Sequence, residues 1–213
     1  MAATRNARKP AHLEMVGGKN KRQRIWEYIR QSREGFAVSE AAWKAHVDGD
    51  TTRTYFQSLE NGSYITVINP VRGPQEEKRY RLERDTGLEA PRLTRSGQPV
   101  TQGLAQEQMW RAMRILSGDF SFPELAALAS TPEVAVSPAA AQCYLKHLAK
   151  AGYVTLVQKS MSRVGTGRTP SRYRFSTSRY TGPRPPMIQR SKSVYDPNLD
   201  KVVWQEEMNH DDL

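Results

Sequence analysis

Apolar and polar positions along the chain form two series that keep the same internal order. In the first, KRQRIWEYIRQ places Ile25, Tyr28 and Ile29 at i, i+3 and i+4, which predicts a helix with one apolar face, ended by Gly35. SEAAWKAHV predicts a second, short helix that begins at Ser39 or the residue before it and closes at Asp48 and Gly49. A third helix starts there, with Thr52, Phe56 and Leu59 on its core face. The alternating run YITVI then predicts a strand and YRL its partner, joined through the loop NPVRGPQEEK. In the second series EQMWRAMRIL is stopped by Gly118, and Ser121 caps a helix with Pro123 in its first turn that ends near Ala129. Ser137 and Pro138 open the third helix, whose core face is Ala141, Leu145 and Leu148. YVTLV and YRF are the paired strands, joined by QKSMSRVGTGRTPS.

The two series are one unit written twice. Tyr55, Leu59, Tyr64 and Thr66 stand 89 positions before Tyr144, Leu148, Tyr153 and Thr155. Upstream, IWEYIR faces MWRAMR at an offset of 84, and downstream Tyr80 faces Tyr173 at 93. An offset that grows while the order holds is what loop insertions produce, and two copies point to two small tandem domains rather than a solenoid.

Each third helix presents a second face. In the first repeat it carries Asp50, Thr51, Arg53, Thr54 and Gln57, and in the second Ala139, Ala140, Gln142, Cys143 and Lys146. Small and hydrogen-bonding side chains on an exposed amino-terminal half suit a helix that enters a groove of duplex DNA. Charge points the same way. Of the net +10, residues 194–213 carry −5 with six acids and one lysine, so the first 193 residues carry +15 and call for a polyanion. The first interstrand loop sets Arg72 and Lys78 against Glu76 and Glu77, whereas the second holds Lys159, Arg163, Arg168 and Arg172 with no acid.

Three helices followed by a two-stranded hairpin resemble the winged helix-turn-helix family, and VSPAAAQCYLKHLAKAGYV is similar to its helix exit, recognition helix and first wing strand. With RDTGLEAPR, TGPRPP and YDPNLDKVVW added, the chain is similar to tandem winged-helix proteins of Mu-like transposable phages and prophages. The resemblance implies an α+β, mostly α fold of two winged domains, at 19–84 and 104–176, with two-stranded wings. Around them the sequence predicts a basic disordered arm at 1–18, a linker at 85–103 and a proline-rich, then acidic tail at 177–213 that is disordered as well. Gly62 stands one place earlier than Gly152 does, so the exit of the first third helix is expected to differ from the second.

No other chemistry competes with this reading. His12, His46, His147 and His210 lack metal-ligand spacing, Cys143 has no evident base, and GTG at 165–167 lacks the lysine of a phosphate loop. Neither a cofactor nor catalysis is expected. One cysteine fits a reducing cytoplasm, and no apolar run is long enough for a signal peptide or a bilayer span. The apolar group from Val194 to Trp204 either packs back on the domains or docks a protein partner.

The expectation is therefore a non-enzymatic double-stranded DNA-binding protein, a phage or prophage transcriptional regulator with two recognition helices and basic wings. Its DNA-contacting set is Asp50, Thr51, Arg53, Thr54 and Gln57 on the first face, Ala139, Ala140, Gln142 and Lys146 on the second, and Arg72, Lys159, Arg163, Arg168 and Arg172. A replication or transposition accessory factor and a winged-helix interaction scaffold are the alternatives. The unequal loops predict that the first domain reads bases and the second grips the backbone.

Overall fold

The computed structural model describes residues 10–69, 73, 76–163, 167–190 and 192–206. They divide into two compact units, a first unit of Lys19–Thr101 and a second running from Gln102 onward and including the segment up to Gly18. A single helical turn, α1 (Ala11–Glu14), belongs to the second unit.

The first unit opens with α2 (Lys21–Gln31), capped by the Asn20 side chain, which accepts the Gln23 N–H at 2.8 Å. Ile25, Trp26 and Ile29 are fully buried and Tyr28 is half-buried, so the apolar stripe runs through Trp26. The short strand β1 (Phe36–Ala37) leads into α3 (Val38–Lys44). There the Glu40 carboxylate reaches back to the Ala37 N–H at 3.1 Å, satisfying a donor the helix leaves open. Asp48 caps α4 (Gly49–Asn61) by accepting the Thr51 N–H at 2.8 Å. β2 (Ile65–Val67) and β3 (Arg79–Leu82) complete an antiparallel sheet ordered β1-β3-β2. Phe36, Phe56 and Tyr80 lock helix to sheet, with Phe56 meeting the other two edge-on at centroid distances of 5.8 and 5.2 Å.

The second unit repeats this order as α5 (Leu104–Ile115), β4 (Phe120–Ser121), α6 (Phe122–Ala129), α7 (Pro138–Lys150) and β5 (Val154–Gln158). The interstrand excursion that follows forms its own two-stranded ladder, β6 (Met161–Arg163) and β7 (Gly167–Thr169), before β8 (Arg172–Phe175) joins a sheet ordered β4-β8-β5. Ser121 and Ser137 cap α6 and α7, each accepting a backbone N–H from the third helical residue. Met109, Trp110, Met113, Phe120, Leu125, Tyr144, Leu145 and Leu148 form the core.

The residues after each sheet depart from expectation. Those predicted as a linker pack into the first unit, where Leu93 is 2% exposed and belongs to the core. The predicted disordered tail likewise builds β9 (Met187–Ile188), β10 (Ser193–Asp196) and β11 (Lys201–Gln205), an antiparallel sheet ordered β11-β10-β9. Val194 is fully buried in the core of the second unit, and Val203 and Trp204 pack against it, so the apolar group of the tail folds back. The described part of the predicted arm is also placed, with the Gly17 N–H donating to Asp200 at 2.9 Å and Arg184 donating to the Gly18 carbonyl. Residues 1–9 and 207–213 lie outside the described residues.

These segments belong to the repeat. The Trp26 indole donates to the Gly87 carbonyl at 2.9 Å, and the Trp110 indole to Gly182 at 3.0 Å. The Tyr55 hydroxyl donates to Pro91 at 3.1 Å and the Tyr144 hydroxyl to Pro186 at 3.1 Å. A tight hairpin follows in both units. The Thr94 N–H bonds the Gln98 carbonyl at 2.8 Å as the Gln189 N–H bonds Ser193 at 2.8 Å, and Gly97 and Lys192 both take positive φ, 81° and 51°. Among the described residues the strand β11 is added only on the second of these hairpins.

Candidate nucleic-acid interface

The α4 face turned away from the core is a polar stripe. Thr52, Tyr55, Phe56, Ser58 and Leu59 are buried, which leaves Asp50, Arg53, Thr54, Gln57 and Asn61 exposed at spacings of three and four. Thr51 is half-buried, its N–H held by the cap, and with Arg22, Asp50, Thr54 and Tyr55 it lines a shallow surface cleft. Arg53 pairs with Asp50 at 3.0 Å, but their side chains are 74% and 95% exposed, so water screens the pair and little holds the guanidinium back from another acceptor. The Thr54 hydroxyl donates to the Asp50 carbonyl at 2.8 Å.

The start of this stripe is fixed electrostatically. Lys21 approaches the Asp48 carboxylate at 2.6 Å, and this hydrogen bond, with those from Thr51, holds the carboxyl far below the ordinary aspartate range. Asp48 therefore stays ionised where the α4 dipole favours a negative charge.

On α7 the buried face is Ala141, Tyr144, Leu145 and Leu148, and Ala139, Ala140, Gln142, Cys143 and Lys146 are exposed. Its carboxy-terminal turn is occupied instead. The His147 ring meets Trp204 edge-on at 6.2 Å, Lys150 lies 4.7 Å over the same indole, and Glu206 pairs with Lys150 at 3.4 Å.

The basic side chains expected between the strands separate into groups. Lys159 is exposed just beyond β5. Arg163 and Arg168 lie on the β6–β7 ladder, where Arg163 is opposite Gly167 and Ser162 opposite Arg168. Arg72 lies outside the described residues. Arg172 stands on β8, where its guanidinium binds Glu124 at 3.2 Å and the Asp119 carbonyl, tying β8 to the start of α6. The Ser121 N–H, with Arg172, holds the Glu124 carboxyl below its usual range. Arg79 does the same in the first unit, bonding Glu40 at 3.1 Å and the Gly35 carbonyl at 3.3 Å.

Comparison of the chain with protein-family models, curated proteins and solved structures finds no match. The interface is therefore read from its own chemistry. Among the described residues no group of three or more His, Cys, Asp or Glu side chains could hold a metal ion, and no helix is long and apolar enough to cross a membrane.

Sequence reasoning missed three cations on these hairpins, the first of them held beside α4. The Arg95 Nε donates to the Gln57 side chain at 3.0 Å, and Asn61 donates to the Arg95 carbonyl at 2.8 Å, so this hairpin tip abuts the exposed stripe of α4. Arg190 and Lys192 hold the corresponding places in the second unit, both exposed. The signal was present in TGLEAP and TGPRPP, which keep an offset of 95 and could have extended the repeat past the sheet.

Proposed function

We propose that the protein is a non-enzymatic, double-stranded DNA-binding regulator in which each unit acts as a winged helix-turn-helix. In this reading α4 and α7 are the recognition helices, and the β2–β3 and β5–β8 excursions are the wings. The observation that carries it is the α4 stripe. Four hydrogen-bonding side chains, Asp50, Arg53, Thr54 and Gln57, stand exposed on one side of a capped helix. The surrounding 193-residue stretch carries +15. Such a helix suits the width of the major groove, and an arginine there can hold guanine O6 and N7 together.

The arrangement divides the work. Arg53 gives α4 a side chain for base reading, whereas α7 offers Ala139, Ala140 and Gln142, with Lys159, Arg163 and Arg168 in the adjoining excursion for the backbone. Selection of bound sites from random duplex DNA tests this. The parent should enrich one motif, and Arg53→Ala should relax one base pair of it, a contact typically worth about 1 to 3 kcal/mol of discrimination. Identical motifs from parent and variant would remove Arg53 from the reading set, and enrichment of no motif would contradict a regulator that reads sequence.

A further inference from the structure

We infer that the hairpin after each sheet is a second phosphate-contacting element, open in the first unit through Arg95 and, in the second, counter-charged at Lys192 by Glu206. The inference rests on the DNA-binding reading and assigns to it residues outside both helices and both interstrand excursions.

Three observations carry it. First, the hairpin is a built and repeated feature. Its turn bonds, its left-handed position and the arginine at its tip recur 95 residues apart, and a tyrosine hydroxyl from the third helix anchors the strand leading into it in both units. A mere connector would not need a left-handed residue held by cross-turn bonds at the same place twice. At Gly97 the demand is absolute, because an added Cβ would stand 2.4 Å from the Asn61 carbonyl carbon and the Gly62 nitrogen. The tip is thus pressed against the end of α4.

Second, the contact places charge on the candidate interface. Arg95 uses Nε on Gln57, a member of the exposed stripe, which fixes its guanidinium alongside that stripe. An arginine held at the rim of a helix that enters a groove meets the phosphates bordering that groove, and its planar fork suits phosphate oxygens.

Third, the second unit carries the same hairpin, with Arg190 at the place of Arg95, and adds a tip cation, Lys192, whose charge is answered. Glu206, just past β11, bonds Lys192 at the hairpin tip at 2.8 Å and Lys150 at the end of α7 at 3.4 Å. Lys192, with Lys150, holds the Glu206 carboxyl below its usual range, so it stays ionised near neutral pH. Among the described residues this extra strand has no counterpart in the first unit, and it delivers an anion where a phosphate would otherwise sit.

The test measures affinity of the full-length chain for a fixed duplex against salt, for the parent, Arg95→Ala, Arg95→Lys and Glu206→Gln, with far-UV circular dichroism confirming that each variant is folded. Arg95→Ala should flatten the log–log slope by about 0.9, the loss of one phosphate contact, while Arg95→Lys keeps the slope although it loses the Gln57 bond. Glu206→Gln should steepen it by about 0.9 or more as Lys192 and Lys150 are freed. A steep parental slope that neither Arg95→Ala nor Glu206→Gln alters would overturn the hairpin assignment and leave the DNA-binding reading standing. A flat parental slope would overturn both.

Discussion

Ser63 holds a left-handed backbone, φ 59°, at the place in the first unit where Gly152 holds one, φ 81°, in the second. The hydrogen bonds around the two residues match. Tyr64 and Tyr153 donate their N–H groups to Leu59 and Leu148 at 2.9 Å each, and Ser63 and Gly152 donate to Glu60 and Ala149 at 3.0 and 3.1 Å. The one-residue shift between Gly62 and Gly152 therefore leaves the helix exit unchanged, and serine adopts the conformation that glycine adopts freely.

Exchange at this site should then act in opposite directions in the two units. A left-handed residue with a Cβ costs about 1 kcal/mol relative to glycine, so Ser63→Gly should raise the stability of the first unit by about that amount. Gly152→Ala should lower that of the second similarly, since nothing lies within 4 Å of the added Cβ and backbone strain is the only term. Urea unfolding followed by circular dichroism reads both, and a destabilising Ser63→Gly would contradict the equivalence.

The segments after the sheets should loosen when their anchors are cut. Tyr55→Phe and Tyr144→Phe each remove a donor from a proline carbonyl while keeping the buried ring. Each should cost about 1 to 2 kcal/mol, the penalty for an unmet buried acceptor. Hydrogen exchange should rise at residues 92–100 for the first variant and at 187–196 for the second. Protection that stays unchanged would show that packing of Leu93 or Val194 alone holds them.

Acid should weaken the start of α4. The Asp48 carboxyl is depressed by Lys21 and Thr51 from an ordinary value of 3.8. A depressed folded value means that its contribution is complete above that ordinary value and is lost as pH falls from about 4 toward the folded value. Asp48→Asn keeps a cap acceptor for Thr51 and removes the charge. The variant should be less stable than the parent at pH 7, and the gap should close as pH falls below about 4. Urea midpoints from pH 7 to pH 2.5 measure this, and a gap that is constant with pH would contradict it.

Periodic faces and caps were legible in the sequence because each is local. Asp48, Ser121 and Ser137 stand directly before their helices, and the i, i+3, i+4 spacing of Ala141, Leu145 and Leu148 fixes a buried face without knowledge of what covers it. The segments after the sheets carried one local signal, the TGLEAP and TGPRPP repeat, but their placement was not legible, because it is set by long-range bonds such as those from Trp26, Trp110, Tyr55 and Tyr144 to backbone carbonyls, which leave no period. The tail misled through its acids. Asp196 is completely buried, yet it is satisfied by the Tyr153 and Thr181 hydroxyls and by Asn198, so a residue that reads as solvated charge serves as a structural acceptor. Of the candidate interface, the α4 and α7 faces followed from periodicity. Arg172 did not, since its partner Glu124 lies 48 positions away, and neither did Arg95, whose place beside Gln57 depends on the hairpin.

The central claim, that this chain binds duplex DNA through its basic surface, is tested most directly by the affinity of the full-length protein for a labelled duplex across a salt series. The account predicts a linear fall of log affinity with log salt, with a slope of about −0.9 for every phosphate neutralised. A slope near zero, or no binding at the lowest salt, would contradict it.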